Sequence, residues 1–270
     1  MLDSFGHSIS VNFVQYPFFG RTITLMIYDL QKASFWKRIS AYLFDGIILG
    51  ILAVGIALLF VQVFQLDSHA QAFDDYYTAY AEKYNVNFDV TMEEYEALTP
   101  EEQKQLDDAY TALTEDPQAN KLYATMSNLV LLTTTLGVLT ACMMTEFLVP
   151  LFLKNGQTMG KRIFGICVIR TDGVRLSPLQ LLIRTLLGKF TLETMIPLYM
   201  VMMILFGDIG LLGTMIVLGL LTLQLILLAT TQNSSAIHDL LAQTVVVDMH
   251  SQLIFRSPQD AMAYRSKHHG

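Results

Sequence analysis

The chain has 270 residues, of which 53% are hydrophobic and only 15% charged, whereas a soluble domain carries about 25% charged residues. Its mean hydropathy is +0.43. A globule with so little charge is hard to keep in water, which argues against a cytosolic enzyme, a nucleic-acid-binding module and a disordered protein. The net charge of −7 hides a segregation described below. Two cysteines, Cys142 and Cys167, make no disulfide framework.

In chain order, residues 1–32 read as a cytoplasmic arm without a signal-peptide pattern, in which 8–14 and 22–28 are candidate strands. Four apolar runs follow. The first, 39–64, is 26 residues long and carries one charge, Asp45. The second, 122–153, is 32 residues long with one charge, Glu146, and Pro150 is expected to kink or end it. The third, 190–206, carries Glu193 and Pro197, and the fourth, 211–229, holds Gln224 and no charge. Runs three and four are separated only by Gly207-Asp208-Ile209-Gly210 and read as a helical hairpin. Each of the first two exceeds the ~30 Å hydrocarbon core at about 1.5 Å per helical residue.

The basic residues orient these spans. Of seventeen Lys and Arg, fourteen fall in residues 1–38, the 154–189 loop and the tail, and three fall in 66–121. The positive-inside rule then puts both termini and loop 154–189 in the cytoplasm. Loop 66–121 lies outside, with fourteen carboxylates against three lysines, a net −11. Thr91-Met92-Glu93-Glu94 and Thr99-Pro100-Glu101-Glu102 are capping-box signatures. Phe73, Tyr76, Tyr77, Tyr80 and Tyr84 recur at helical spacing. Two to four short helices are expected there, and their charge reads as a solvated face, with attraction of cations as the functional alternative.

Within 154–189, a glycine-punctuated turn precedes a strand at 165–170, a turn at 171–173, a partner strand at 174–176 and an interfacial helix at 179–190. Lys161, Arg162, Arg184 and Lys189 are expected to face lipid headgroups or a cytoplasmic partner. Gly156 to Lys161 is one residue short of a phosphate loop and lacks the Ser or Thr after the Lys. The tail offers a helix at 235–242 and a strand at 244–248 able to pair with 165–170. The membrane domain is expected over 33–248, the stretch covered by the resemblance given below, with 249–270 as a cytoplasmic tail.

Ionisable groups inside a bilayer are costly and mark function by default. Asp45, Glu146 and Gln224 fall at similar depth, roughly 9–12 Å from the cytoplasmic end of their spans, and Glu193 is shallower. Together they read as a site for a monovalent cation or a proton. The structural alternative pairs Asp45 with Arg38 or a loop cation, and Glu146 and Glu193 with Arg184 or Lys189. Carboxylates sharing one cavity favour the site; carboxylates each held by a cation of their own favour the structural role. Gly46 and Gly50 read as a helix-packing pair. His238-Asp239 lacks further ligands at metal spacing, and no nucleophile, metal or cofactor pattern appears, so no enzyme and no cofactor are expected.

Three stretches carry a resemblance. They are Phe35-Trp36-Lys37-Arg38-Ile39-Ser40-Ala41-Tyr42-Leu43-Phe44-Asp45, Gly156-Gln157-Thr158-Met159-Gly160-Lys161-Arg162-Ile163-Phe164-Gly165 and His238-Asp239-Leu240-Leu241-Ala242-Gln243-Thr244-Val245-Val246-Val247. In this order they resemble the RDD family of prokaryotic membrane proteins, named for one Arg and two Asp. Arg38 and Asp45 match the first two and Asp239 the third. Gln243 stands where the family more often has Gly, and the acidic loop is longer than the family's usual connection. The resemblance implies a multi-pass protein of the bacterial cell membrane, with a transport role suspected and some members similar to sodium/proton antiporters. The expected architecture is an all-α transmembrane four-helix bundle, N-in and C-in, with a small cytoplasmic β-containing module and an acidic extracytoplasmic helical insertion. The expected partners are the lipid bilayer, a monovalent cation or proton and, for a transporter, further copies of the chain, with no nucleic acid.

Overall fold

The computed structural model describes residues 30–153, 155–205 and 236–269, with 215–216, 218–219, 222–223 and 226–227 between them. The candidate strands 8–14 and 22–28, the turn 207–210, Gln224 and most of the fourth run lie outside the described residues. Among the described residues three helical stretches are long and apolar enough to cross a membrane: Phe35–Val63, Pro117–Leu153 and Pro178–Met203.

Helix α1, Phe35–Val63, is the first stretch. The second is continuous from α5, Pro117–Cys142, through a π-helix at Met143–Leu148, to α6, Val149–Leu153. Pro150 does not end it. A proline has no N–H to offer the carbonyl four residues back, here that of Glu146. The hydroxyl of Thr185 donates to that carbonyl instead, at 2.9 Å, which is how a helix inside a membrane tolerates proline.

The third stretch corrects an expectation. Residues 179–190 are not a separate interfacial helix. They continue α8, Pro178–Ile183, through a twelve-residue π-helix, Arg184–Met195, into α9, Ile196–Leu205. Ser177 starts the run with a capping box to Gln180, and Pro178 sits in its first turn. Nothing after Pro178 breaks the winding until Pro197, which falls in the first turn of α9. The wide winding is visible in side chains too: Thr191 and Thr194 donate to the carbonyls of Leu186 and Lys189, five residues back, the spacing of a π-helix.

The chain divides into two compact units. One spans Ile51–Thr140 and contains α2, Leu66–Tyr84, α3, Met92–Ala97, and α4, Pro100–Glu115. Three helices thus fill the acidic loop. Both expected capping boxes form, at Thr91 with Glu94 and at Thr99 with Glu102. The aromatic stripe on α2 reaches Asp116, which accepts hydrogen bonds from the hydroxyls of Tyr80 at 2.5 Å and Tyr76 at 3.0 Å. Asp116 also accepts from the N–H groups of Gln118 and Ala119 at the start of α5. These bonds, led by that from Tyr80, hold its carboxyl at about 2. Within this unit α1 and α5 meet closely at Gly137, where a Cβ would stand 2.9 Å from Cβ of Ala57 and 3.1 Å from the carbonyl of Ala53. Gly46 and Gly50, expected to let another helix approach span one, have nothing among the described residues within 4 Å of a Cβ built on them.

The other unit comprises 1–50 and 141–270. Its small sheet pairs β1, Ile166–Arg170, antiparallel with β2, Thr244–Asp248, in the register Ile166 opposite Asp248 and Arg170 opposite Thr244. The pairing of the 165–170 region with the tail strand is as the sequence suggests. The hairpin partner at 174–176 is not a strand; it contributes only isolated bridges, Arg175 to Ile169 and Val174 to Phe255. Residues 31–33 run along the other edge of β2, with Ala33 N–H donating to Val246 and Asp248 N–H to Gln31. Both faces of the sheet are covered. Ala33, Ala41, Ile166, Val168 and Val246 cluster on one, and Cys167, Ile169, Val245 and Val247 on the other. That explains why the strands read as continuous apolar runs rather than alternating ones.

The six-residue helix Ile237–Ala242 ends at Gln243, which takes the left-handed conformation, φ 53° and ψ 49°. This is the backbone for which glycine is suited, at the position where the sequence departs from the resembled family. A side chain there costs roughly 1–2 kcal/mol. Gln243→Gly is therefore expected to stabilise the protein by about 1 kcal/mol, read as a rise in thermal unfolding temperature in detergent. A fall would show that the Gln side chain makes a bond worth more than the strain.

Candidate functional site

The site lies in the unit formed by 1–50 and 141–270. It begins with Asp45, nearly three turns into α1 and only 5% exposed. One carboxylate oxygen accepts the hydroxyl of Thr158, and the other accepts the N–H of Gly160 at 2.8 Å. Thr158 is itself the N-cap of the short helix α7, Met159–Ile163, accepting from Lys161 N–H. Asp45 thus pins the glycine-punctuated loop to the first span. The approach leaves no room for a side chain at 160: a Cβ would lie 2.5 Å from the carbonyl of Ala41 and 2.9 Å from the Asp45 carboxylate.

That docking swings Lys161 inward, where it is 7% exposed. Its ammonium stands 3.6 Å from Asp45 Oδ2 and 3.9 Å from Glu146 Oε2. Both separations exceed ordinary hydrogen-bond length; its hydrogen bond goes to Thr158 Oγ1 at 3.1 Å. Burial, followed by repulsion from Lys189, pulls the Lys161 ammonium down to about 8, with Glu146 opposing. Glu146 sits in the π-helix of span two, and its Oε1 is in direct contact with the ammonium of Lys189. Its Oε2 is buried without a hydrogen-bond partner among the described residues.

The π-winding of span three places the remaining charges. Residues five apart fall roughly one turn apart there, so Arg184 and Lys189 share a face that an α-helix would split. Arg184, 1% exposed, reaches Asp239 Oδ1 from both Nε and Nη2 at 3.1 Å. Thr244 Oγ1 donates to the same oxygen at 2.8 Å. Burial pushes the Asp239 carboxyl up, but its cationic surroundings and the Thr244 hydrogen bond outweigh this and leave it below its usual range. Glu193 Oε1 lies 2.5 Å from Nδ1 of His238. At the start of span one, Arg38 donates to the Val246 carbonyl at 2.6 Å, tying α1 to β2.

Tyr42, Asp45, Gly46, Glu146, Lys189 and Glu193 are among the residues lining a cavity of about 50 Å3, enough for one or a few waters or a small ion. Asp45, Glu146 and Glu193, singled out from the sequence, therefore share one space, while Gln224 lies outside the described residues. Of the three signature charges, Arg38 holds β2 and lies near enough to Asp239 for their charges to interact, Asp239 meets Arg184, and Asp45 holds α7. The cation beside Asp45 is Lys161.

Three of the four cations expected at a lipid-facing surface need correcting. Lys161, Arg184 and Lys189 are buried, and of the four only Arg162 is exposed. A buried ammonium or guanidinium is retained only where a carboxylate offsets its desolvation, and Glu146, Asp45 and Asp239 do so here. The sequence reading did not single out Thr158, Gly160, Thr185 or Gly188 as site residues. The first two stand in the quoted glycine motif, which was the available signal; the others carry none.

Apolar spanning helices joined by a buried, charge-balanced polar cluster define an integral membrane protein. Residues 32–243 match the RDD family, and the chain belongs to it. No curated protein and no solved structure matches the chain.

Proposed function

We propose that the protein exchanges a monovalent cation for a proton across the plasma membrane, with Lys161 as the exchangeable counter-ion of Asp45 and Glu146. The observation that carries this reading is the position of the Lys161 ammonium, between two carboxylates of different spans and hydrogen-bonded to neither. With Lys161 and Lys189 charged, these two lysines and the carboxylates of Asp45 and Glu146 sum to zero, and the Lys161 ammonium fills the place between the two carboxylates. When Lys161 releases its proton, the sum becomes −1 and a monovalent cation takes its place between the two carboxylates. Release of the cation restores the proton. The exchange leaves the buried charge unchanged, which is the cheapest route for ions through a medium of low dielectric constant. The termini and loop 154–189 face the cytoplasm in this scheme. So few spans give a short path, so the working form is a homo-oligomer, and no covalent chemistry or cofactor is required.

Purified protein in liposomes holding a pH-sensitive dye tests it. An imposed Na⁺ or K⁺ gradient is expected to drive protons the opposite way. Glu146→Gln leaves Lys161 and Lys189 short of one negative charge and is expected to slow the flux at least about tenfold, equivalent to ~1.4 kcal/mol. Folded wild-type protein without cation-driven proton movement sinks the proposal.

A second reading has an observation of its own. The face of α7 away from Asp45 exposes Met159, Arg162 and Ile163. That supports a non-transporting scaffold whose apolar and basic α7 surface docks a cytoplasmic partner or anionic lipid. Flux that survives Met159→Ser with Ile163→Ser, and dies with Glu146→Gln, separates the two.

A further inference from the structure

Glu193 lines the cavity, yet its carboxylate also reaches away from it, to His238. The two meet because Gly188 lets the helix Ile237–Ala242 lie directly on the π-helix of span three: a Cβ at 188 would stand 2.3 Å from Cβ and 2.6 Å from Cα of His238. From there the imidazole Nδ1 is 2.5 Å from Glu193 Oε1, and the backbone N–H of His238 donates to the same oxygen at 3.3 Å. Both side chains are 7% exposed. The second ring nitrogen, Nε2, lies 3.6 Å from Asp239 Oδ2. Asp239 is already engaged by Arg184 and Thr244, so Glu193 is the carboxylate with which His238 can share a proton.

Resting on the cation–proton exchange read above, we infer that His238 and Glu193 form a second proton-binding site on the cavity wall, and that loading it expels the cation. In the resting pair, neutral His238 donates Nδ1–H to ionised Glu193, which adds its negative charge to the cavity. One further proton on the pair cancels that charge. It resides either on the ring, as imidazolium beside carboxylate, or on Glu193, as carboxylic acid beside imidazole. In both forms the cavity holds a cation less well. Lys161 then sets the alkaline limb of exchange and His238 an acid limb. The groups facing the ring are Glu193 and Arg184 from span three and Asp239 from its own helix, with Arg38 near Asp239 from α1. Burial and then Arg184 keep His238 below its ordinary range, with Asp239 and Glu193 opposing. It is therefore neutral at pH 7, and the acid limb falls below the usual histidine region near 6.5.

The test uses the full chain in lipid nanodiscs with 15N-labelled histidine, the signal being assigned by its absence in His238→Gln. His238 is expected to carry its proton on Nδ1 at pH 7 and to titrate below ordinary histidine. Glu193→Gln is expected to move that titration lower still, because the negative charge favouring imidazolium is gone. In parallel, binding of radioactive Na⁺ is measured from pH 5 to 7. Wild type is expected to lose affinity by up to about tenfold per pH unit below the His238 midpoint, in addition to the loss due to Lys161. His238→Gln, confirmed folded by thermal unfolding, is expected to lose that additional step. A His238 titration indifferent to Glu193→Gln, or an acid limb unchanged in His238→Gln, overturns the inference. Wild type that binds no cation at any pH overturns the exchange reading and the gating of cations with it, while the histidine titration still reports whether the pair shares a proton.

Discussion

Lys161→Met is expected to remove the alkaline activation of cation binding. The Lys161 ammonium, brought to about 8 by burial and by Lys189, is charged below that pH and neutral above it. At pH 7 about one molecule in ten has the uncharged amine, and apparent cation affinity is reduced by that fraction. Met has no charge at any pH and fills the stem's volume, so it imitates the deprotonated form. Apparent affinity for Na⁺ at pH 7 should therefore rise about tenfold over wild type and match it above pH 9. Proton counter-flow should fall even as binding improves, since the exchangeable proton is gone. That split between binding and coupling is hard to obtain from a misfolded variant. A lysine lowered on folding is bound to more protons in the unfolded chain between about 8 and the ordinary value, so the wild type should gain stability as pH rises through that window. Lys161→Met should lack that gain. If Lys161→Met keeps the wild-type pH profile of binding, another group is the exchanging one.

The second large effect concerns Arg184 and Asp239, which hold the tail helix against span three. Both are buried, with side-chain exposures of 2% and 3%. Removing one partner of such a pair leaves an uncompensated charge and costs about 3–5 kcal/mol. Arg184→Gln and Asp239→Asn are each expected to lower the unfolding temperature sharply and reduce membrane yield. Replacing both, as Arg184→Met with Asp239→Leu, removes the unpaired charge and should recover much of the loss. Equal loss in the double variant and either single one would place the weight on packing rather than on charge. The measurement is thermal unfolding in detergent, with the flux assay reporting whether the recovered fold still works.

Local signals were legible in the sequence because local physics decides them. The caps at Thr91, Thr99 and Ser177 needed only a hydroxyl with a Glu or Gln three residues on. The pairing of 166–170 with 244–248 was suggested by two short apolar runs rich in β-branched residues. Asp45, Glu146 and Glu193 stood out because carboxylates in apolar runs are rare. What sequence spacing hid was tertiary. Lys161, Arg184 and Lys189 read as surface charges, since a cation beside a membrane span is most often solvated, and only their partners on other elements reveal burial. Pro150 read as a break because the hydroxyl that relieves it is supplied by Thr185, in another span. The division of 178–205 into an interfacial helix and a span followed from its charges at 184 and 189, which an α-helical wheel spreads over two faces and the observed winding gathers onto one.

The winding of Arg184–Met195 has a consequence for how this segment tolerates change. A π-helix is an α-helix carrying surplus chain, so its essential property is residue count rather than residue identity. Conservative exchanges at Leu186 or Leu187 leave the count intact. Deleting one residue would tighten the coil and turn everything beyond the cut by about 100°, so that Arg184 could keep its hold on the tail while Lys189 swung off Glu146. Drift in length, more than drift in letters, is what this part of the molecule is built to resist.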